Sequence, residues 1–209
     1  AEQTYGVPAQ VIAAIIGVET YYGRHTGGYR VVDALMTLAA SDYRRHDFFR
    51  DELRAFLMLN RDEKQDPRLP VGSYAGAIGI PQFMPTSYQE YAVDFDGDGR
   101  RDLVSNVTDA IGSVANYLAR HGWQRDQPII NYVDYDLQQV DDPDQDPLIK
   151  LGYKPHATVA LLQSQGVRWA DGLNPDPQRQ AALLALGQKS GHTMVAAFQN
   201  FYAITRYNH

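Results

Sequence analysis

A chain of 209 residues, 44% hydrophobic and 21% charged, has the composition of an ordinary globular protein with room for one domain or a domain carrying an insertion. A net charge of -6 and a pI near 5.4, without any block of Lys and Arg, argue against a nucleic-acid partner. No apolar run reaches membrane-spanning length, the amino terminus lacks the shape of a signal peptide, and the lack of cysteine excludes disulfides, thiolate metal sites and a cysteine nucleophile.

The first predicted element is a helix that opens at Pro8, runs through Val11-Ile12-Ala13-Ala14-Ile15-Ile16 and ends in Gly17-Val18-Glu19-Thr20-Tyr21-Tyr22-Gly23. Glu19 lies seven, four and three residues after Ile12, Ile15 and Ile16, which places a carboxyl on the apolar face. Burial there raises its pKa, as a general acid at neutral pH requires. Gly23 is the expected C-terminal cap. Read from this helix alone, a structural ion pair with Arg24, Arg44 or Arg45 is the simpler account, because ion-pair networks perturb pKa values too.

A Gly-containing turn at His25 to Tyr29 leads to a short helix over Val32 to Ala40. Arg44 and Arg45 sit in a polar break, and Phe49, Leu53, Phe56 and Leu57 then mark an amphipathic helix. Its charged residues Arg50, Asp51, Glu52 and Arg54 read as a solvated face. Asp62 to Pro70 is a surface loop. The stretch from Gly72 to Tyr91, GSYAGAIGIPQFMPTSYQEY, allows close backbone approach to a ligand, with Gln82 as a hydrogen-bonding amide. A tight packed loop before a helix capped by Thr86 or Ser87 explains the same residues equally well.

Asp94-Phe95-Asp96-Gly97-Asp98-Gly99-Arg100-Arg101-Asp102 follows the start of an EF-hand-type loop. Oxygen ligands fall at positions 1, 3 and 5 (Asp94, Asp96, Asp98), glycine at 6, and the Arg100 carbonyl at 7. Such clustered carboxylates repel one another unless a hard cation compensates them, so calcium, in a stapling role, is the expected partner. Position 12 is Ser105; the closing carboxylate is expected at Asp109, in a longer loop of 94–109, with Asp102 as the alternative. A helix over Ala110 to His121 with a buried stripe of Ile111, Val114, Ala115 and Leu118 follows, Tyr117 lying at its edge. From Asp126 the texture changes. A strand-like run at Pro128 to Tyr135 precedes an acidic loop at Asp141 to Pro147. The apolar runs at His156 to Gly166 and Ala181 to Gly187 are ambiguous between strand and helix, and Met194 to Tyr207 is close to helical spacing. The fold class read here is α+β, predominantly α. Fourteen tyrosines suit a groove that stacks on sugars, although most serve packing.

GVETYYG, GSYAGAIGIPQFMPTSY, the DFDGDG loop, DAIGSVANYLARHGW and NFYAITRYN occur in this order, and the chain resembles the lytic murein transglycosylase B family over nearly its whole length. The resemblance implies a lysozyme-like α core with a small inserted β subdomain and an EF-hand-like calcium loop. In residue terms it implies a core over 1–127, an insertion over 128–192 and a return segment over 193–209. It implies non-hydrolytic cleavage of the MurNAc–GlcNAc β-1,4 bond of peptidoglycan, with Glu19 as acid and then base and a 1,6-anhydro product. It also implies a groove lined by Ser73, Gln82, Tyr117, Tyr202 and Tyr207, with Phe83 as a stacking surface and Arg44 and Arg45 over the groove. Structural calcium on Asp94, Asp96, Asp98, Arg100 and Asp109, no organic cofactor, a monomer, and a periplasmic setting, soluble or anchored to the outer membrane, complete the expectation. The competing readings are a hydrolytic muramidase of goose-type-lysozyme kind, which shares Glu19, and a noncatalytic calcium-dependent wall-binding module.

Overall fold

The computed structural model describes residues 1–42, 44–137, 142–170, 173–189 and 191–208. It is a mixed assembly of helices and antiparallel sheet that divides into two compact units, 1–120 and 121–209. The first unit comprises helices α1 (Glu2–Tyr5), α2 (Ala9–Thr20), α3 (Val31–Ala40), α4 (His46–Asp62), α5 (Pro85–Tyr91) and α6 (Val107–Arg120). A two-stranded ribbon, β1 (Tyr29–Arg30) with β2 (Val71–Gly72), pairs Tyr29 with Gly72 and Arg30 with Val71.

Helix α2 buries Ile12, Ile15 and Ile16, the predicted stripe, and ends one residue beyond Glu19. Its C-cap is Tyr21 rather than Gly23: Tyr21, Tyr22 and Gly23 are successively left-handed, at φ 50, 60 and 80°. Two consecutive non-glycine residues in that region are costly and make this turn an unusual feature of the backbone. In α4 the buried stripe is Phe49, Glu52, Ala55, Phe56, Leu59 and Asn60. Leu57, expected inside, is exposed, and Glu52, expected on the solvated face, is 2% exposed. Position 52 follows Phe49 by three residues and belongs to the inward face by geometry, whatever its charge. Helix α6 starts earlier than predicted and is nearly enclosed, burying Asp109, Gly112, Ser113 and Tyr117 with Val114, Ala115 and Leu118, while Ile111 is half-buried.

The second unit holds a five-stranded antiparallel sheet in the order β4-β6-β7-β3-β5. Its strands are β3 (Ile130–Asp134), β4 (Ala157–Thr158), β5 (Arg168–Trp169), β6 (Gln180–Gly187) and β7 (His192–Ala197). Helices α7 (Val159–Ser164) and α8 (Gln199–Thr205) complete it. Strands β6 and β7 form a hairpin in the register Ala182 to Ala197 through Gly187 to His192. Ala181, Leu183 and Ala196 are buried in one apolar cluster and Ala182, Leu184, Val195 and Ala197 in another. With both faces covered, the alternation that marks a half-buried strand vanishes, which is why these runs read ambiguously. The helical spacing expected from Met194 is likewise overturned: the segment is strand to Ala197 and helix only from Gln199. Asp141, at the head of the predicted acidic loop, lies outside the described residues. No helix among the described residues is long and apolar enough to cross a membrane.

Candidate active site

Burial raises the pKa of three glutamates, and their surroundings separate them. Glu63 is raised by burial but pairs with Arg101 at 3.3 Å. Glu52 is raised by burial and accepts two hydrogen bonds from Thr86, from the backbone N–H at 2.9 Å and from Oγ1 at 2.6 Å. Glu19, half-buried in the last turn of α2, is raised by burial alone. Among the described residues no cation forms an ion pair with it, and no nearby charge contributes to its shift. The ion pair that the helix alone favoured is therefore not made. Arg24 lies over the Tyr21 ring at 5.1 Å and Arg45 over the Phe48 ring at 4.3 Å. A partly desolvated carboxyl with no ion-pair partner among the described residues holds its proton to higher pH than an ordinary glutamate, the direction a general acid needs.

The turn 78–84 is fastened to the residue after Glu19. Thr20 is buried; its hydroxyl donates to the Ile80 carbonyl at 2.8 Å and accepts from the Gly23 N–H at 2.9 Å. Ile78 and Phe83 exchange backbone hydrogen bonds of 2.8 and 3.1 Å, and the Ile80 N–H donates to the Leu103 carbonyl at 2.8 Å. Gly79 sits at φ 73°, and a Cβ there would lie 2.3 Å from the Leu103 carbonyl oxygen. Gly79→Ala is therefore expected to cost about 2–4 kcal/mol, from a left-handed backbone plus a backbone clash, and to lower activity as the turn shifts. Chemical denaturation alongside turnover checks it; an unchanged midpoint would contradict it.

The groove residues expected from sequence divide into contributors and supports. The Gln82 side-chain N–H groups donate to the Thr26 and Gly79 carbonyls at 3.1 and 2.9 Å, and its backbone is left-handed at φ 53°. Its amide nitrogen is thus structural, and its oxygen is the atom left for a ligand. The Ser73 Oγ accepts from the Ala75 and Ala77 N–H groups at 3.3 and 3.0 Å, so its hydroxyl hydrogen is the part left to donate. Phe83 is 2% exposed and packs on Tyr117, centroids 5.6 Å apart, with Tyr91 edge-on to Tyr117 at 4.9 Å. Phe83 does not present an open stacking face, correcting that expectation; it is a buried support, and Tyr117 is buried with it. Arg44 and Arg45 form the turn into α4. Tyr202 lies on α8 with Arg206 over its ring at 6.0 Å, and Tyr207 lies in the 3-10 turn that follows; both are half-buried in the second unit.

Helix α5 begins at Pro85 with Met84 as N-cap and no side-chain cap of its own, so neither Thr86 nor Ser87 caps it. Glu52 of α4 meets Thr86 instead. Sequence reasoning missed this residue, and its one signal was its three-residue spacing from Phe49.

The acidic loop folds on α6. Carboxylate oxygens of Asp94, Asp96 and Asp109 lie within 4.8 Å of one another. Asp94 also accepts from the N–H groups of Gly97, Asp98 and Gly99 at 2.8, 3.1 and 2.8 Å. Asp98 instead caps Arg100, and Asp102 caps Val104 and Ser105, so neither belongs to the three-carboxylate group. Asp109 is 0% exposed, and its two oxygens accept from the Phe95 and Asp102 N–H groups, each at 2.8 Å. A Cβ at Gly112 would meet the Phe95 ring at 2.4 Å, so the loop is seated against the helix. A cavity of about 850 Å³ opens beside it, lined by Phe56, Glu63, Tyr88, Arg101, Asp94 and Arg100 among others. Glu19, Ser73, Gln82 and Phe83 are not among its lining residues, and its raised glutamate is already paired, so the chemistry points to the Glu19 turn rather than to this cavity.

The model of the transglycosylase SLT domain matches residues 1–209. The chain is 44% identical over 207 residues to the membrane-bound lytic murein transglycosylase B of Escherichia coli K12, covering 99% of this chain and 54% of that protein. Soluble lytic transglycosylase SltB1 from Pseudomonas aeruginosa superposes with a TM-score of 0.88 at 43% identity, over 99% of this chain and 66% of that one. The Escherichia coli lytic transglycosylase SLT35 in complex with calcium does so at 0.86 and 41%, over 100% and 63%. The chain thus spans between about half and two thirds of these relatives' length. With the motifs in order and the folds superposed end to end, the chain belongs to the transglycosylase SLT domain family, in its lytic murein transglycosylase B group.

Proposed function

We propose that this chain is a peptidoglycan lytic transglycosylase that breaks the MurNAc–GlcNAc β-1,4 bond without water. The observation that carries the reading is Glu19, the one raised glutamate among the three that has no fixed partner among the described residues. Its burial favours the protonated form, so it begins as the acid and donates its proton to the glycosidic oxygen as the C1–O bond breaks. The resulting carboxylate then takes the proton of the muramic acid 6-hydroxyl, whose oxygen bonds to C1 and closes the 1,6-anhydro ring. One proton leaves Glu19 and one returns. The oxocarbenium-like charge at C1 is left to the sugar's own acetamido group, a substrate-assisted variant of the two-carboxylate scheme.

In this reading the Gln82 oxygen and the Ser73 hydroxyl bind the sugar, Phe83 and Tyr117 support the groove, and Arg44 and Arg45 meet an anionic part of the substrate. Tyr202 and Tyr207 are proposed as further substrate-binding residues. The inserted subdomain over 128–192 and the core-completing segment over 193–209 are part of the same proposal. Calcium would be held by Asp94, Asp96, Asp98, the Arg100 carbonyl and Asp109. The grouping of Asp94, Asp96 and Asp109 supports that set, and the ion would act as a staple, with no organic cofactor. Peptidoglycan strands are the partner, in the periplasm, with the chain acting as a monomer.

Product chemistry tests the reading. Digestion of peptidoglycan is expected to release soluble fragments without a matching rise in reducing ends. A reducing end for every bond cut would assign the chain to the hydrolytic muramidases instead. Binding without any cleavage would leave only the wall-binding alternative.

A further inference from the structure

Glu52 is a carboxylate placed where charge is expensive. It lies on the inward stripe of α4 at 2% exposure, and burial outweighs its hydrogen bonds and the nearby Arg45 charge in raising its pKa. A glutamine or an apolar residue would fill that position at lower desolvation cost, so the carboxylate calls for an account. Both its oxygens are used on one residue. Oε2 accepts from the Thr86 N–H and Oε1 from the Thr86 hydroxyl, at 2.9 and 2.6 Å.

Thr86 stands three residues after Phe83, on the downstream side of the 78–84 turn. The Ile78–Phe83 exchange closes the turn across its base, and Thr20 on Ile80 and Ile80 on Leu103 tie its upstream arm further. Downstream, Pro85 has no N–H to offer, so Thr86 is the first residue past that proline where an amide can be caught. The Glu52 carboxylate catches it.

We propose that Glu52 is a positioning residue for the groove: by holding Thr86 it fixes the downstream end of the turn that presents Gln82 and seats Phe83 beneath Tyr117. This rests on the proposed function in taking Gln82 as a sugar ligand. The Gln82 amide reaches the Thr26 and Gly79 carbonyls with its backbone in the left-handed region, so a shift of the segment that leaves the turn carries into the orientation of the amide oxygen. Displacements of about 1 Å at such a residue cost up to about a hundredfold in rate.

The test compares Glu52→Ala, Glu52→Gln and Thr86→Val. Glutamine can accept from the Thr86 N–H through Oε1 and donate to the Thr86 hydroxyl through Nε2, so it restores both links without the charge. At a temperature where melting curves show each variant folded, Glu52→Ala is expected to lower the rate of peptidoglycan solubilisation by about ten- to a hundredfold. Glu52→Gln is expected to stay within about threefold of the parent, and Thr86→Val, which keeps the N–H and loses the hydroxyl, to fall between them. Amide hydrogen exchange gives a readout that needs no activity: Gln82 and Phe83 should exchange faster in Glu52→Ala and return to parental rates in Glu52→Gln, with the α6 amides unchanged. If Glu52→Ala does not fold, the glutamine and Thr86→Val variants decide by the same two readouts. Parental exchange at Gln82 and Phe83 in Glu52→Ala, or in Thr86→Val where the alanine variant is unfolded, overturns the proposal. So does a glutamine variant as impaired as alanine. A parent that cleaves no glycan while its exchange pattern responds as described overturns the enzyme reading and leaves the positioning role standing.

Discussion

Glu19→Gln is expected to abolish nearly all turnover on peptidoglycan while leaving the chain folded and able to bind glycan. Loss of a general acid or base costs about 10²- to 10⁴-fold. In the proposed mechanism one group serves both half-reactions, so the upper end of that range, about 10⁴-fold, is the expected figure. The amide has neither a proton to give to the leaving oxygen nor a basic site for the 6-hydroxyl proton. Stability should move the other way. Burial raises the folded-state pKa of Glu19 above the ordinary 4.5, so the stability gained from its protonated form is present below that value and lost as pH rises through the folded pKa. Where the pH exceeds the folded pKa the parent holds a partly desolvated carboxylate that the glutamine variant lacks. The variant should therefore melt at least as high as the parent at pH 7, its advantage growing as pH rises through the folded pKa and vanishing below about 4.5, where both side chains are neutral. Calorimetry at the two pH values beside a turnover assay checks both halves. Retained turnover would remove Glu19 from the chemistry, and a lower melting temperature at pH 7 would show the carboxylate to be structural.

The second large effect is expected at Asp109. Its side chain is fully buried and both oxygens accept backbone N–H groups of the acidic loop, from Phe95 and Asp102. Asp109→Ala strands two amides and removes one of three grouped carboxylates, which should destabilise the chain by about 3 kcal/mol and lower the melting temperature by about 6–12 °C. The same residue decides the calcium proposal. Chelation of the parent should lower its melting temperature more than its room-temperature activity, because an ion bound only to the folded state adds stability by mass action. In Asp109→Ala the chelator should have little left to remove. A parental melting curve unmoved by chelator would argue against a structural ion, and Asp109 would then be a hydrogen-bonded seat for the loop and nothing more.

Elements whose pattern is set by one exposed and one buried face were legible in the sequence. Ile12, Ile15 and Ile16 announced α2 and placed Glu19 in its last turn; the aspartates at 94, 96 and 98 with Gly99 announced an acidic loop, in which the carboxylates that gather are 94, 96 and 109. Patterns failed where burial was two-sided or where charge disguised it. Strands β6 and β7 are apolar on both faces and carry no alternation. Glu52 sits among Arg50, Asp51 and Arg54 and looks like surface, yet its spacing from Phe49 turns it inward. The roles of single atoms were beyond reach of sequence: that the Gln82 nitrogen is spent on Thr26, and that Phe83 packs on Tyr117, depends on chain segments meeting across long sequence separations. That no cation among the described residues pairs with Glu19 is of the same kind. Arg24, a plausible partner by position, turns to Tyr21 instead.

The most direct test of the account is the mass of the muropeptides released from purified peptidoglycan in water enriched in ¹⁸O. If Glu19 passes its proton to the leaving oxygen and recovers one from the 6-hydroxyl, every new muramic acid end is one water lighter than a hydrolysed end and carries no label. Products heavier by one water, with ¹⁸O at C1, would contradict it.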